Sequence, residues 1–212
     1  MLSRMPVTRP AAERKRALRA EMLAARKRLL PSAREASSRA VAERVASLPP
    51  VAAARTLALY PAMGTEVDTA EIARRAQAAG KRLAWPRVEP GALALSFAAC
   101  LPGELVPGPS GTRQPPSGAP AVPLAEIDCL LVPGVAFDPR GLRLGRGRGH
   151  YDATLAALPR RAARVGLAFE VQLVAEVPRE AHDAPLDAVV TERRVVWTRP
   201  AGAERALWQG LV

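Results

Sequence analysis

Apolar residues recur along the chain first at helical spacing and later in short unbroken runs. In residues 11–29 the apolar positions are spaced by four, three and four residues, which places them on one face of a helix. These positions are Leu18, Met22, Ala25 and Leu29. Lys15 and Arg19 are four residues apart and lie on another edge of the same helix. The spacing predicts an amino-terminal helical arm.

A second helix is predicted after Pro31, because proline breaks the first one. Ser32 and Glu35 have the spacing of a capping box, in which the two side chains satisfy backbone N–H groups at a helix start. We expect this helix to run to about Ser47, where a pair of prolines beginning at Pro49 closes it.

Continuous apolar runs predict strands that are covered on both faces. These runs are residues 56–63, 82–88, 92–99 and 128–137; residues 164–172 are expected to start as a strand, and residues 187–197 to form a closing strand or hairpin. Between the first two, Asp68 together with Glu71 is expected to cap a helix that ends at Gly80. Strands that alternate with helices predict an α/β fold, a three-layer α/β/α arrangement with a mostly parallel central sheet.

The chain is long enough for one domain, which we expect to span residues 1–212. Residues 1–10 are expected to be flexible. Residues 101–123 are rich in proline, glycine and serine and are expected to form an irregular or mobile loop, long enough to act as a lid or wall over a site.

The formal net charge of +11 is compatible with nucleic-acid binding or with a polyanionic small molecule. Arginine is spread throughout beside alanine and proline, and few aromatic residues can stack on bases. The distribution favours a small polyanionic ligand over nucleic acid. We expect a monomer.

The amino terminus is arginine-rich and weakly resembles a transit peptide, but it has no apolar signal core, and no apolar run in the sequence is long enough to span a bilayer. A cytoplasmic location without membrane association is therefore expected. Cys100 and Cys129 are far apart in unlike contexts, so their spacing indicates neither zinc nor a redox pair.

Glycine and arginine alternate between residues 141 and 149, after an apolar run and before a helix-like segment. Glycines let backbone N–H groups approach a ligand, arginines supply bidentate charge, and a helix N-terminus adds a partial positive charge. The spacing is neither that of a Walker A loop nor that of a dinucleotide fingerprint. The pattern nevertheless predicts binding of a phosphorylated ligand.

The same segment, VPGVAFDPRGLRLGRGRGHYD, closely resembles the signature of the 5-formyltetrahydrofolate cyclo-ligase (methenyltetrahydrofolate synthetase) family. Four further segments resemble family motifs in the family's order: KRALR, YPAMGTEVDT, GKRLAWPRV and HDAPLDAVVTE. The resemblance implies ATP- and Mg²⁺-dependent closure of 5-formyltetrahydrofolate to 5,10-methenyltetrahydrofolate, with release of ADP and phosphate. Folate polyglutamates would be attracted to the positive surface.

The resemblance also implies residue roles. The ATP-binding residues are Lys15, Arg16, Arg19, Arg143, Leu144, Gly145, Arg146, Gly147, Arg148, Gly149, His150 and Tyr151. Arg146 is the expected catalytic residue, which stabilises the transferred phosphoryl group. The substrate-binding residues are Pro61, Glu66, Arg146, Arg148, Gly149 and His150, and the Mg²⁺ ligands are Asp152 and Asp183.

Three positions depart from the family pattern. His150 replaces a usual tyrosine, Arg148 stands where glycine or lysine is common, and Ser110 occupies a place in the loop that is usually aromatic. Trp85 or Phe97 could supply the missing pterin stacking if the geometry allows. Two alternatives stay open: a non-catalytic, RNA-binding relative, and a sugar-phosphate isomerase or CoA-transferase-like enzyme on a related sheet.

Overall fold

The computed structural model describes residues 10–180 and 183–198. The expected flexibility of residues 1–10 therefore falls almost entirely outside the described residues, as does His182 of the last motif. The helices are α1 (Ala11–Arg28), α2 (Pro31–Ala46), α3 (Pro49–Ala53), α4 (Ala70–Ala78) and α5 (His150–Ala157). Single-turn 3₁₀ helices lie at Pro102–Glu104, Pro109–Gly111, Leu124–Glu126 and Glu170–Gln172.

The strands of the central sheet are short and buried. They are β1 (Thr56–Ala58), β2 (Arg82–Arg87), β3 (Ser96–Ala99), β6 (Cys129–Val132), β9 (Ala163–Leu167), β10 (Ala188–Val190) and β11 (Val195–Trp197). Their order is β11-β10-β9-β6-β1-β2-β3. The five inner strands are parallel, whereas β3 and β11 are antiparallel at the two edges. The predicted mostly parallel α/β sheet is confirmed.

Two small hairpins lie outside this sheet. One pairs β4 (Val106–Pro107) with β5 (Arg113–Gln114), and the other pairs β7 (Ala136–Phe137) with β8 (Arg143–Leu144). Part of the loop predicted as irregular at residues 101–123 is thus a hairpin between 3₁₀ turns.

Successive residues of the buried strands face opposite sides of the sheet, because side chains alternate along a strand. Leu57 and Leu131 pack in one core cluster together with apolar residues of α2 and α4. Ala58 and Leu130 pack in the cluster on the other face, which includes Leu155 of α5. Helices on both faces complete the predicted three layers.

The arm α1 packs mainly outside the central sheet. Its predicted apolar face is confirmed, because Met22, Leu18 and Ala25 cluster with Leu144 of β8 and with other apolar residues near this hairpin. Since β8 leads directly into the glycine–arginine loop, this packing brings α1 next to that loop.

Three predicted strands are shorter than expected. The run at residues 128–137 is wrong as one strand, because Pro133 and Gly134 end β6 and the chain re-enters extended structure only at β7. The run at residues 56–63 ends as a strand at Ala58, although Leu59 and Tyr60 stay buried. The run at residues 92–99 is a strand only from Ser96.

The predicted capping box is also wrong. The second helix begins at Pro31 itself, with Leu30 as its N-cap and no side-chain cap. Proline is favoured at the first helical position because its φ is already helical and its missing N–H is not needed there. Glu35 instead accepts a hydrogen bond from Arg39 at 2.6 Å. Pro49 likewise begins α3 rather than only closing α2.

The helix predicted after Asp68 is α4, and Gly80 follows its end with φ +72° as expected for a C′ glycine. The predicted cap is wrong, because Thr69 is the N-cap and the Glu71 carboxylate accepts hydrogen bonds from Arg74 and Arg75 instead. Cys129 is buried and Cys100 half-buried, and neither forms a disulfide. Among the residues that the structure describes, no helix is both long and apolar enough to cross a membrane.

Candidate active site

A pocket of about 250 Å³ opens beyond the carboxyl ends of β1, β2 and β6. In open α/β sheets ligands bind at this edge, because the connecting loops diverge there. Tyr60 and Pro61 line the pocket after β1, Val88 after β2, and Pro133 and Gly134 after β6. The parallel order of these strands therefore brings three distant parts of the sequence together.

The glycine–arginine loop forms another wall. Its residues from Gly145 to Gly149 line the pocket, followed by His150, Tyr151 and Asp152 in the first turn of α5. Gly149 is the N-cap of that helix, with φ +74°, a conformation that glycine adopts without strain. Backbone N–H groups at a helix N-terminus favour anions, so this wall is suited to phosphate.

Arg146 and Glu66 form an ion pair in the pocket. Arg146 Nε donates to Glu66 Oε1 at 3.1 Å, and Nη2 lies 3.0 Å from the same oxygen. Glu66 Oε2 accepts a hydrogen bond from the backbone N–H of Met63 at 2.9 Å. The predicted catalytic arginine therefore touches the predicted folate-binding carboxylate.

Arg143 and Asp152 form a second ion pair at the base of the loop. Arg143 Nη2 donates to Asp152 Oδ1 at 2.6 Å, and the Arg143 side chain is only 4% exposed. Its guanidinium carbon lies 5.6 Å from the centre of the Tyr151 ring. The Arg143 Nε is buried without a hydrogen-bond partner within the described part of the chain. A buried donor of this kind is costly to leave unpaired, which favours an anionic ligand nearby.

Two tyrosines, the buried Tyr60 and the half-buried Tyr151, face this region as neutral phenols. Burial raises the pKa of Tyr151, and the nearby Glu66 carboxylate adds to the effect. Burial also raises the pKa of Tyr60, whose hydroxyl donates to the carbonyl of Val67 at 3.1 Å. The pocket floor therefore carries no phenolate charge at neutral pH.

The β4–β5 hairpin, within the loop of residues 101–123, covers one side of the pocket. Ser110, Thr112, Arg113 and Gln114 line it, which agrees with the predicted lid or wall. Arg148 Nη2 donates to Ser110 Oγ at 2.9 Å and so joins the glycine–arginine loop to this wall. Ser110 has the unusual φ of +59°.

His150 lies beside the pocket on α5. Its Nδ1 is 2.8 Å from the carbonyl oxygen of Leu93. Because a carbonyl only accepts hydrogen bonds, this contact requires the proton on Nδ1 and leaves Nε2 as the ring's other nitrogen for a ligand. The aromatic residues considered for pterin stacking do not reach the pocket: Trp85 and Phe97 are buried in the two sheet cores.

The predicted ATP-binding residues of α1 lie behind the loop. Arg19 Nε donates to the carbonyl of Gly145 at 2.9 Å. Lys15 Nζ lies 2.8 Å from Asp183 Oδ2 and 2.6 Å from Glu180 Oε2. Burial lowers the pKa of Lys15, but the hydrogen bonds and charges of these two carboxylates raise it by more, so the net shift is upward. Arg16 is exposed.

Some predicted site residues are not among those that line the pocket. They are Lys15, Arg16, Arg19, Leu144 and Asp183. The Leu144 side chain is buried in the α1 cluster, and its carbonyl accepts the Val135 N–H at 2.7 Å. Their assignment to nucleotide or metal remains a prediction.

Several lining residues carry no distinct signal in the sequence, among them Met63, Val88, Leu95, Thr112 and Arg113. They could have been found only from strand order, because they share positions just beyond strand ends or in the lid. A buried arginine of α1, Arg26, was also missed, since its surroundings in the sequence are those of a charged helix face.

Mg²⁺ is compatible with the donors present. Among the described residues no group of three His, Cys, Asp or Glu side chains forms a complete metal cage. Mg²⁺ is usually held by one or two carboxylates together with substrate phosphates, so such a cage is not needed. Asp152 supplies a carboxylate at the pocket wall, and only its Oδ1 is engaged by Arg143.

Fold and site together define an α/β protein with a pocket beyond the carboxyl ends of its parallel strands, lined by arginines of a glycine-rich loop. Residues 11–192 match the model of the 5-formyltetrahydrofolate cyclo-ligase family. The chain belongs to that family, which confirms the resemblance seen in the motifs.

Individual relatives agree. The 5-formyltetrahydrofolate cyclo-ligase of Escherichia coli K12 is 37% identical over 174 residues, covering 80% of this chain and 96% of the relative. The mouse enzyme is 28% identical over 189 residues, covering 84% and 93%. The solution structure of Aquifex aeolicus 5,10-methenyltetrahydrofolate synthetase superposes with a TM-score of 0.78 at 33% identity, covering 89% of this chain and 95% of that one.

Proposed function

We propose that this enzyme converts 5-formyltetrahydrofolate into 5,10-methenyltetrahydrofolate with consumption of ATP. The observation that supports the proposal is the ion pair between Arg146 and Glu66, because it joins the arginine proposed to bind phosphate to a carboxylate suited to pterin N–H donors. Cyclisation needs both ligands in one pocket, with the formyl oxygen close to the terminal phosphate.

The chemistry needs no protein nucleophile. The formyl oxygen attacks the γ-phosphorus, the bond to the β-phosphate oxygen breaks, and ADP leaves. N10 then adds to the activated formyl carbon and loses its proton, and the C–O bond breaks to release inorganic phosphate. The products are ADP, phosphate and the methenyl compound.

The protein's contribution is alignment and charge. Arg146 would stabilise the transferred phosphoryl group, and the N–H groups of residues 145–149 together with Arg148 would hold the triphosphate. Glu66 and Pro61 would orient the pterin, with His150 near the reacting end. Lys15, Arg16 and Arg19 would support the phosphates from behind the loop.

Mg²⁺ is proposed as the metal, held by Asp152 with Asp183, and when bound it neutralises phosphate charge. Arg143 would then pass from Asp152 to the nucleotide. The positive net charge of +11 would attract folate polyglutamates. We further propose that the enzyme acts as a monomer in the cytoplasm.

The test is a direct assay. Purified protein is mixed with ATP, Mg²⁺ and 5-formyltetrahydrofolate, and the near-ultraviolet absorbance of the methenyl product is followed. The absorbance should rise only when all three are present, and ADP should form in equal amount. Folded protein that gives no absorbance change would contradict the proposal. Salt-sensitive RNA binding without turnover would instead support the non-catalytic alternative.

A further inference from the structure

Arg26 is buried beneath the pocket although nothing in its sequence context assigns it a role. It is 2% exposed, on the face of α1 that packs inward. Within the described part of the chain, no carboxylate lies within ion-pair distance of its guanidinium. A buried charge destabilises the fold unless it is well compensated, so its position calls for a physical reason.

The hydrogen bonds of Arg26 reach two walls of the pocket. Its Nε donates to Thr65 Oγ1 at 2.9 Å, and its Nη1 donates to the carbonyl of Gly134 at 3.2 Å. Thr65 directly precedes Glu66, whereas Gly134 lines the pocket after β6. A guanidinium can make both bonds because its donors point outward from one rigid plane, which an ammonium group cannot reproduce.

The segment held by Arg26 also fixes Glu66. The N–H of Met63 donates to Glu66 Oε2, and the N–H of Glu66 donates to the Met63 carbonyl at 3.2 Å, so this turn closes on itself. Thr65 is the point at which the turn is joined to α1. Movement of Thr65 would therefore move the Glu66 carboxylate relative to the glycine–arginine loop.

The opposite contact is braced as well. The Gly134 carbonyl accepts a second hydrogen bond, from Gln172 Nε2 at 2.9 Å, and Gln172 is 1% exposed. Burial lowers the pKa of Arg26, while the negative charge of Glu66 acts in the other direction, so the two groups interact across the turn. Arg26 is thus bonded on one side to the braced Gly134 carbonyl and on the other side to Thr65 in the turn that carries Glu66.

We propose that Arg26 is a positioning residue for the folate side of the pocket, which clamps Thr65 against Gly134 and so sets the Glu66 carboxylate where the pterin binds. This inference rests on the proposed function, because it takes the ligand of Glu66 to be 5-formyltetrahydrofolate. Its role is indirect, since Arg26 does not line the pocket.

The experiment compares Arg26→Gln and Thr65→Val with wild type. Each removes the same hydrogen bond from a different side, so each should raise the Kd of 5-formyltetrahydrofolate, measured without ATP by calorimetry, about tenfold. The KM for ATP should stay within about twofold. Thr65→Ser keeps the hydroxyl and should bind like wild type, and Arg26→Lys should restore affinity only partly.

Coupling between the two changes is decisive. The double variant Arg26→Gln, Thr65→Val should bind folate no more weakly than Arg26→Gln alone, because the two changes remove one shared interaction. Arg28→Gln, an exposed change on the same helix, is the matched control and should leave the folate Kd unchanged. Thr65→Val keeps the test usable if Arg26→Gln does not fold.

A purely structural role would lower the melting temperature while the folate Kd stayed at its wild-type value, and that result would overturn the inference. Equal increases in the folate Kd and the KM for ATP would overturn it too. If the wild-type protein neither binds folate nor forms the methenyl product, the proposed function itself fails, and the inference falls with it.

Discussion

Arg146 Nη2 lies 3.0 Å from Glu66 Oε1, which joins the loop proposed to bind phosphates to the carboxylate proposed to bind folate. The Glu66 side chain is 8% exposed and that of Arg146 46%, so the arginine is the partner with room to move. Each proposed substrate must therefore compete with the ion pair between these two side chains. Binding of one substrate should then change how freely the other can reach its own partner.

Glu66→Gln tests this competition. Loss of the carboxylate weakens the hold on Arg146 and removes the charged acceptor for the pterin. We expect the KM for 5-formyltetrahydrofolate to rise about tenfold or more, since a hydrogen bond to a charged group contributes about 1.5–3 kcal/mol. The Kd for ATP should fall severalfold. Steady-state kinetics and calorimetry give the two values.

The control is Glu43→Gln, which removes one negative charge from an exposed position of α2. It should leave both constants unchanged. A Glu66→Gln variant whose affinity for folate matches that of wild type would remove Glu66 from the substrate site.

Arg146→Ala tests the loop itself. A donor that acts mainly on the transferred phosphoryl group should affect kcat more than KM, and loss of one such donor typically lowers kcat by about 10²–10³-fold. The rate of methenyl formation at saturating substrates measures this. Arg146→Lys should recover only part of the rate, because lysine keeps the charge but not the bidentate geometry.

Arg160→Ala removes an exposed arginine just after α5 and serves as the matched control. Turnover by Arg146→Ala at the wild-type rate would show that the chemistry occurs elsewhere.

The sequence predicted the fold class and the contents of the glycine–arginine loop because both are local patterns. It could not predict that Arg146 meets Glu66, which is 80 positions away, because that contact depends on the order of strands in the sheet. The predicted strands were too long for a related reason. Leu59 and Tyr60 are as buried as β1 itself, so an apolar run marks burial and not where pairing stops.

The site shows the same division. Lys15 and Arg19 were assigned through motif resemblance, and the structure places Arg19 against the loop and Lys15 against Asp183. Arg26, seven residues after Arg19, has the same local composition but is buried. Only tertiary packing distinguishes Arg26 from Arg19, because helical spacing alone does not show how much of α1 is covered by the rest of the protein.

Asp152→Ala should destabilise the fold as well as impair turnover. The Arg143 side chain is 4% exposed, so removal of its partner leaves a buried charge, which typically costs about 3–5 kcal/mol. Asp152→Asn retains an acceptor oxygen and should cost less. Urea unfolding followed by fluorescence measures both free energies.

The double variant Arg143→Met, Asp152→Leu supplies the control, because it removes both charges together. It should recover most of the lost stability while remaining inactive. Equal stability of wild type and Asp152→Ala would show that the pair is not buried in solution.

Asp128 gives a pH dependence outside the pocket. Burial raises the pKa of this carboxyl, but hydrogen bonds from the Thr56 and Arg55 N–H groups, both at 3.0 Å, and the charge of Arg161 lower it by more. A lowered pKa in the folded state stabilises the protein above the unfolded value of about 3.9, and this stability is lost as pH falls through the folded pKa.

Asp128→Ala should therefore lower the free energy of unfolding at pH 7 and pH 5, with a smaller difference from wild type at pH 3. Unfolding curves at the three values test this. A difference that grows towards low pH would contradict the sign of the shift.

Removal of Mg²⁺ should weaken nucleotide binding disproportionately. Lys15 is paired with Asp183 and Glu180, and Arg143 with Asp152, so ATP alone would draw the two cations away and leave these carboxylates without their partners. Mg²⁺ alone would draw the carboxylates and leave a buried Arg143 unpaired. The metal–nucleotide complex replaces both partners of each pair at once, and we expect Mg²⁺ and ATP to bind as a unit.

Thermal stabilisation by ATP should be large with Mg²⁺ and small in EDTA, whereas Mg²⁺ without nucleotide should stabilise little. In Asp152→Asn, where one carboxylate is neutral, the gap between the Mg²⁺ and EDTA conditions should narrow. Equal stabilisation of wild type by ATP in both conditions would show that these ion pairs are not exchanged on binding.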